Sequence, residues 1–188
     1  KAILGYLTRF EEVANLKILN GYIDGDDVTN GVCYLLAKSR TADRYYWRSL
    51  DMSQRPEKLI GEGKKKRQRP EPQAWSQWKK ADVPISQNAI EHTIRPVWFN
   101  NRLFIFWAES YRQHPGQLAD QSATGKSNPQ LKLNYAWRKI DGNWSLPATC
   151  LERFFESIWN ALTPERFNQY VEIYAYELND KIAIGIAL

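Results

Sequence analysis

The 188-residue chain reads as a mainly β protein of antiparallel sheets in a partial β-propeller arrangement, with an N-terminal amphipathic helix and a short helical insertion near residues 151–170. Three observations predict this. Eight Trp, ten Tyr and seven Phe supply large, stiff side chains that suit pleated surfaces. The apolar runs are short and divided by Asn, Asp, Gly and Pro. Residues 94–144 also fit four consecutive strands into about fifty residues, the content of one propeller blade.

Residues 2–16 space Leu4, Leu7, Phe10 and Val13 three apart with Arg9, Glu11 and Glu12 between them, which predicts a helix running into Asn20-Gly21. Residues 32–37 and 44–50, the second carrying Tyr45, Tyr46 and Trp47, read as strands. Residues 53–73 hold Pro56, Gly61, Gly63, Pro70 and Pro72 among charges and predict a loop. Trp75 and Trp78 then lie on an irregular or helical turn leading to Pro84.

In the central unit, residues 94–99 meet an Asn100-Asn101 turn, and residues 103–108 form an unbroken apolar strand, as expected where both faces are buried. Leu131, Leu133, Tyr135 and Trp137 alternate with polar or small residues, and Asp141-Gly142 turns the chain into Trp144. Leu151, Phe154, Phe155, Ile158 and Trp159 then share a helical face. Thr163-Pro164-Glu165 reads as helix cap, first position and first-turn acid. Residues 171–177 and 181–188 form a hairpin around Asn179-Asp180, with Ile182, Ile184 and Ile186 on one face and Ala183, Gly185 and Ala187 on the other. At ~40–45 residues per blade a closed six-bladed ring does not fit, so the sheets form an incomplete propeller or an open stack.

A hydrophobic content of 43% with 25% charged residues excludes a disordered chain. No apolar run reaches the ~20 residues of a membrane-spanning helix. The start at Lys1 and the stop inside a strand-like run read as an excerpt of a longer polypeptide. Cys33 and Cys150 are expected to be small buried hydrophobes rather than a disulfide scaffold. The net charge of +5 belongs to one segment: residues 57–69 carry six bases against two acids, a surplus of four.

Few constellations carry chemistry. His92 and His114 stand 22 residues apart without a metal-ligand pattern, and Gly61-Glu62-Gly63-Lys64 lacks the spacing of a phosphate-binding loop. No cofactor is expected. The run Lys64, Lys65, Lys66, Arg67 and Arg69 reads as a solvated loop, as a contact for an anionic surface, or as a nucleic-acid contact, the last without any accompanying module and not carried forward. Trp47, Trp75, Trp78, Trp98 and Trp107 read as core, or else as a sugar-stacking platform.

Several stretches together resemble the A subunits of Tc toxin complexes: Tyr6-Leu7-Thr8-Arg9-Phe10-Glu11-Glu12 through Lys17, Tyr45-Tyr46-Trp47-Arg48-Ser49-Leu50-Asp51-Met52, Ala74-Trp75-Ser76-Gln77-Trp78, Ile94-Arg95-Pro96-Val97 and Asp141-Gly142-Asn143-Trp144-Ser145. The resemblance covers residues 6–147 and continues weakly through the hairpin; the basic segment 58–72 and the stretch 151–170 depart from it. It implies a neuraminidase-like region of a toxin shell, with residues 1–16 as a helix linking to the shell and 17–188 as the β-rich domain. The parent would be a secreted or surface-displayed insecticidal homopentamer acting on host cells. Its shell would bind a receptor or glycans and open on a pH change, and its central pore would translocate an enzyme supplied by B and C subunits.

A working sialidase needs three arginines on the substrate carboxylate, a Tyr–Glu nucleophile pair and an Asp acid/base. Arg95 resembles the first of those arginines and Asp141 the Asp of a sialidase hairpin turn. Both also have plain readings, Arg95 as an ion-pair or sheet-rim residue and Asp141 as a turn residue. The domain is therefore expected to be non-catalytic, the alternative being a glycan-binding or sialidase-type glycoside hydrolase.

Overall fold

The computed structural model describes residues 13–25, 29–54, 57–60, 64–67, 70–112, 129–155 and 162–187, arranged in two compact units, Lys1–Asp82 and Val83–Leu188. The N-terminal helix read over 2–16 lies almost wholly outside these residues. From Leu16 the chain is already a strand.

The first unit is built on an antiparallel sheet of order β1-β2-β3-β6, formed by β1 (Leu16–Asp24), β2 (Val32–Ser39), β3 (Tyr45–Asp51) and β6 (Lys79–Ala81). Asn20-Gly21 does not end a helix; it sits in β1, beside a register shift between Ile18 and Asn20. A Cβ on Gly21 would stand 3.1 Å from Leu35 Cδ2, so glycine admits the close approach of β1 to β2. Tyr34, Leu36, Tyr45 and Trp47 are buried. The segment read as a loop over 53–73 instead contains a small hairpin, β4 (Glu57–Ile60) with β5 (Lys64–Arg67), followed by a 3-10 turn at Pro72–Ala74.

The second unit is the four-stranded meander expected from residues 94–144, in order β10-β9-β8-β7. Its strands are β7 (Arg95–Phe99), β8 (Arg102–Arg112), β9 (Pro129–Trp137) and β10 (Ala148–Phe154). Asn100 and Asn101 take φ of 47° and 56°, the left-handed pair a two-residue hairpin turn requires. Asp141-Gly142 turns as predicted, with φ of 87° at Gly142 and an Arg138–Trp144 bridge, but the fourth strand begins only at Ala148. Leu151 and Phe154 therefore lie on strand β10, not on a helix, and residues 156–161 are outside the description.

The helix read at Thr163 is present as α1 (Pro164–Tyr170), and Arg166 N donates to Thr163 Oγ1 at 3.3 Å. It leads into the hairpin of β11 (Glu172–Leu178) and β12 (Lys181–Ala187), turned at Asn179 and Asp180 with φ of 50° and 57°. Phe167, Val171 and Ile173 are buried against Ala108, Leu131, Leu133 and Ile90, so α1 and the hairpin cover one face of the meander. The 3-10 turn Glu91–Thr93 fastens this layer, since His92 Nε2 donates to Val171 O at 2.8 Å.

The cysteines depart from expectation: Cys33 is only half-buried, and Cys150 is exposed, its thiol leaning on Leu133 O at 3.4 Å. Partial desolvation of the sulfur pushes both thiols above the ordinary cysteine range, opposed at Cys150 by a backbone hydrogen bond.

Candidate functional site

Strand geometry sorts the titratable residues of the second unit onto two faces. Residues at even positions of β8 stand opposite odd positions of β9: Phe104 meets Trp137, Phe106 meets Tyr135 and Ala108 meets Leu133. That is the face covered by α1 and the hairpin. Trp107, Glu109 and Tyr111 alternate onto the other face, opposite Asn134, Lys132 and Gln130.

On this second face Glu109 is buried, 6% exposed, and its carboxylate accepts from Trp107 Nε1 at 2.7 Å and from the Tyr111 hydroxyl. Two donors make burial of the charge tolerable. Lys132 Nζ stands 5.4 Å from the Tyr111 ring centroid and 3.7 Å from Glu152, which also accepts from Gln130. The Tyr111 hydroxyl is pushed above the ordinary tyrosine range, first by burial and then by the hydrogen bond and charge of Glu109, against hydrogen bonds from Asn88 and Ser86. A Tyr–Glu pair is the residue combination of a sialidase nucleophile. The sequence reading missed it because it ended the strand at Ala108, short of the continuing alternation.

Arg95 lies on the opposite face, paired with Phe106, and its guanidinium stands 5.9 Å from the Tyr174 ring. Burial lowers its pKa, opposed by Glu172 and Tyr174, and its buried Nε has no hydrogen-bond partner among the described residues. Asp141 occupies an exposed turn, where it accepts from Asn143 N at 2.9 Å and Asn143 Nδ2 at 3.1 Å. Those bonds hold its carboxyl below the ordinary range. Arg95, the Tyr111–Glu109 pair and Asp141 are thus placed in three surroundings, with the sheet itself between the first two.

Lys64, Lys65, Lys66 and Arg67 form β5, while Arg69 lies outside the described residues. The five tryptophans divide by unit: Trp47, Trp75 and Trp78 in the first, Trp98 and Trp107 in the second. Trp47 and Trp107 are core. Trp75 and Trp78 are engaged by Arg48, whose Cζ stands 3.6 and 5.1 Å from their ring centroids. Among the described residues no group of three His, Cys, Asp or Glu could hold a metal ion.

The neuraminidase-like domain family matches residues 16–178. Toxin subunit YenA2 of Yersinia entomophaga is 39% identical over 153 residues, covering 81% of this chain and 10% of YenA2. The cryo-EM structure of Morganella morganii TcdA4 superposes with a TM-score of 0.69 at 26% identity, covering 98% of this chain and 7% of that one. The chain spans about a tenth or less of the length of these relatives.

Proposed function

The chain belongs to the neuraminidase-like domain family, as the part of a Tc toxin A subunit that carries it, and from that premise we propose that it is a non-catalytic piece of the toxin's outer shell. The observation that supports this reading is the sorting of sialidase-type residues onto opposite faces of one sheet. A nucleophile pair and a carboxylate-binding arginine act on one sugar only from a common cleft. Here Tyr111 and Glu109 share a face with Lys132, while Arg95 lies on the other face and is engaged by the Tyr174 ring of β11.

In this proposal the parent subunit is secreted or surface-displayed, assembles as a pentamer, attaches to host cells, opens its shell on a pH change and passes an enzyme from B and C subunits through its pore. The domain contributes rigid surface to that shell. A fluorogenic sialoside assay on the full toxin subunit tests it. Hydrolysis at the blank rate, unchanged by Arg95→Ala or Tyr111→Phe, is expected; robust hydrolysis abolished by either substitution overturns the reading.

A further inference from the structure

An Asn-Gly dipeptide can modify itself. The glycine amide nitrogen gives up its proton to water or hydroxide and attacks the Asn side-chain carbonyl carbon, forming a C–N bond. The side-chain nitrogen takes a proton and leaves as ammonia, so that a succinimide ring closes. Water then opens the ring at either carbonyl, giving aspartate or isoaspartate. Glycine favours the attack because no Cβ stands in its way. The Asn backbone must also rotate out of the extended range, so a paired strand suppresses the reaction and a turn admits it.

The chain holds two such dipeptides, Asn20-Gly21 and Asn30-Gly31, and the structure puts them in opposite surroundings. Asn20 and Gly21 lie inside β1, past its register shift, paired with Leu36 and Leu35 of β2. A Cβ on Gly21 would stand 3.1 Å from Leu35 Cδ2, so the neighbouring strand crowds the atoms that would have to turn. Asn30 is exposed. With Thr29 it forms a turn outside both ladders, since β1 ends at Asp24 and β2 begins at Val32. Gly31 is anchored on its C-terminal side, where its carbonyl accepts from Met52 N at 3.0 Å.

We infer that Asn30 is a site of spontaneous deamidation through a succinimide formed with Gly31, and that the fold protects Asn20 from the same fate. The product adds a carboxylate to a segment that already carries Asp24, Asp26 and Asp27. In the isoaspartyl form an extra methylene also enters the main chain, directly before the glycine tied to Met52 at the end of β3. The reaction needs only water and the chain itself, so the inference stands apart from the toxin reading.

Peptide mapping of the intact parent protein, aged in mildly alkaline buffer, tests it. Trypsin cleaves after Lys17 and Lys38 and finds no Lys or Arg between them, so residues 18–38 leave as one peptide carrying both dipeptides. Fragmentation then reads both sites in one spectrum, and the mass gain of amide-to-acid conversion separates deamidation from isomerisation at Asp24-Gly25. In the folded protein Asn30 is expected to convert roughly tenfold or more faster than Asn20, whose reaction waits on local opening of the β1–β2 ladder. In urea the two rates should converge. Gly31 lies outside the left-handed region, so Gly31→Ala suits the backbone and should slow conversion at Asn30 several-fold. Asn20 converting as fast as Asn30 in the folded protein overturns the inference. So does a difference that persists in urea, which would place its cause outside the fold, or conversion at Asn30 that Gly31→Ala leaves unchanged.

Discussion

Glu109 is a carboxylate taken out of water and supplied with two donors by its own strand, Trp107 Nε1 and the Tyr111 hydroxyl. Replacing Tyr111 by Phe removes one donor and leaves the charge partly unsatisfied, a change expected to cost about 1–3 kcal/mol in chemical denaturation. Asp141 shows the opposite economy, an exposed carboxylate tied down by backbone and side chain of Asn143. Its folded pKa is depressed, so its contribution is present above the unfolded value near ~3.9 and is lost as pH falls through the lower folded value. The turn at Asp141 thus stays closed in mild acid. An NMR titration of its carboxyl carbon should give a midpoint below ~3.9, and a midpoint above that would refute the assignment. At this scale the sequence is most legible where chemistry is local. The Asn100-Asn101 turn, Asp141-Gly142 and the Thr163 cap follow from what those side chains do to their own backbone. Glu109 and Tyr111 escaped because their meaning comes from sharing a sheet face, not from their neighbours in sequence.

Among elements, two strands that were read wrongly share a physical cause. β1 shifts register between Ile18 and Asn20, and β10 between Thr149 and Leu151. An extra residue on one strand breaks the two-residue alternation by which a strand is recognised. In β10 exposure adds to the shift: the strand is in regular register from Leu151 onward but almost wholly exposed, so its apolar residues need not alternate, and Leu151 and Phe154 fall three apart, a helical interval. The unbroken strands β8, β9 and β12 were legible. So was α1, whose cap and first-turn acid are written in Thr163-Pro164-Glu165. Thr163→Ala is expected to cost about 1 kcal/mol through loss of the bond to Arg166 N. Phe167→Ala, at a fully buried ring packed beneath the hairpin, should cost about 3–5 kcal/mol. If thermal denaturation ranks these two variants the other way, α1 is not the element that seals this core.

For the whole molecule, the β class and the family were legible early, because aromatic-rich strands and joint motifs survive local misreadings. The family match runs on to residue 178, through α1 and into β11, further than the resemblance traced along 6–147. Division into two units was not legible: Lys1–Asp82 and Val83–Leu188 are each organised around a four-stranded antiparallel sheet, and the chain passes from one to the other without a glycine- or serine-rich linker. Charge remains a property of one segment, with the surplus of four bases over acids in residues 57–69 supplying most of the net +5. Retention of the full subunit on heparin at low salt is accordingly expected to fall when Lys64, Lys65, Lys66, Arg67 and Arg69 become Gln. Unchanged retention would remove this hairpin from any part in attachment.

The bond from His92 to Val171 carries a consequence for how the unit is held together. A peptide carbonyl only accepts, so Nε2 owns the hydrogen it shares there. The two residues stand 79 apart in sequence, with the whole meander between them along the chain, so the clasp ties the turn that opens the sheet to the last layer laid over it. Removing the imidazole would take this donor from the Val171 carbonyl and loosen the layer where α1 hands over to the hairpin.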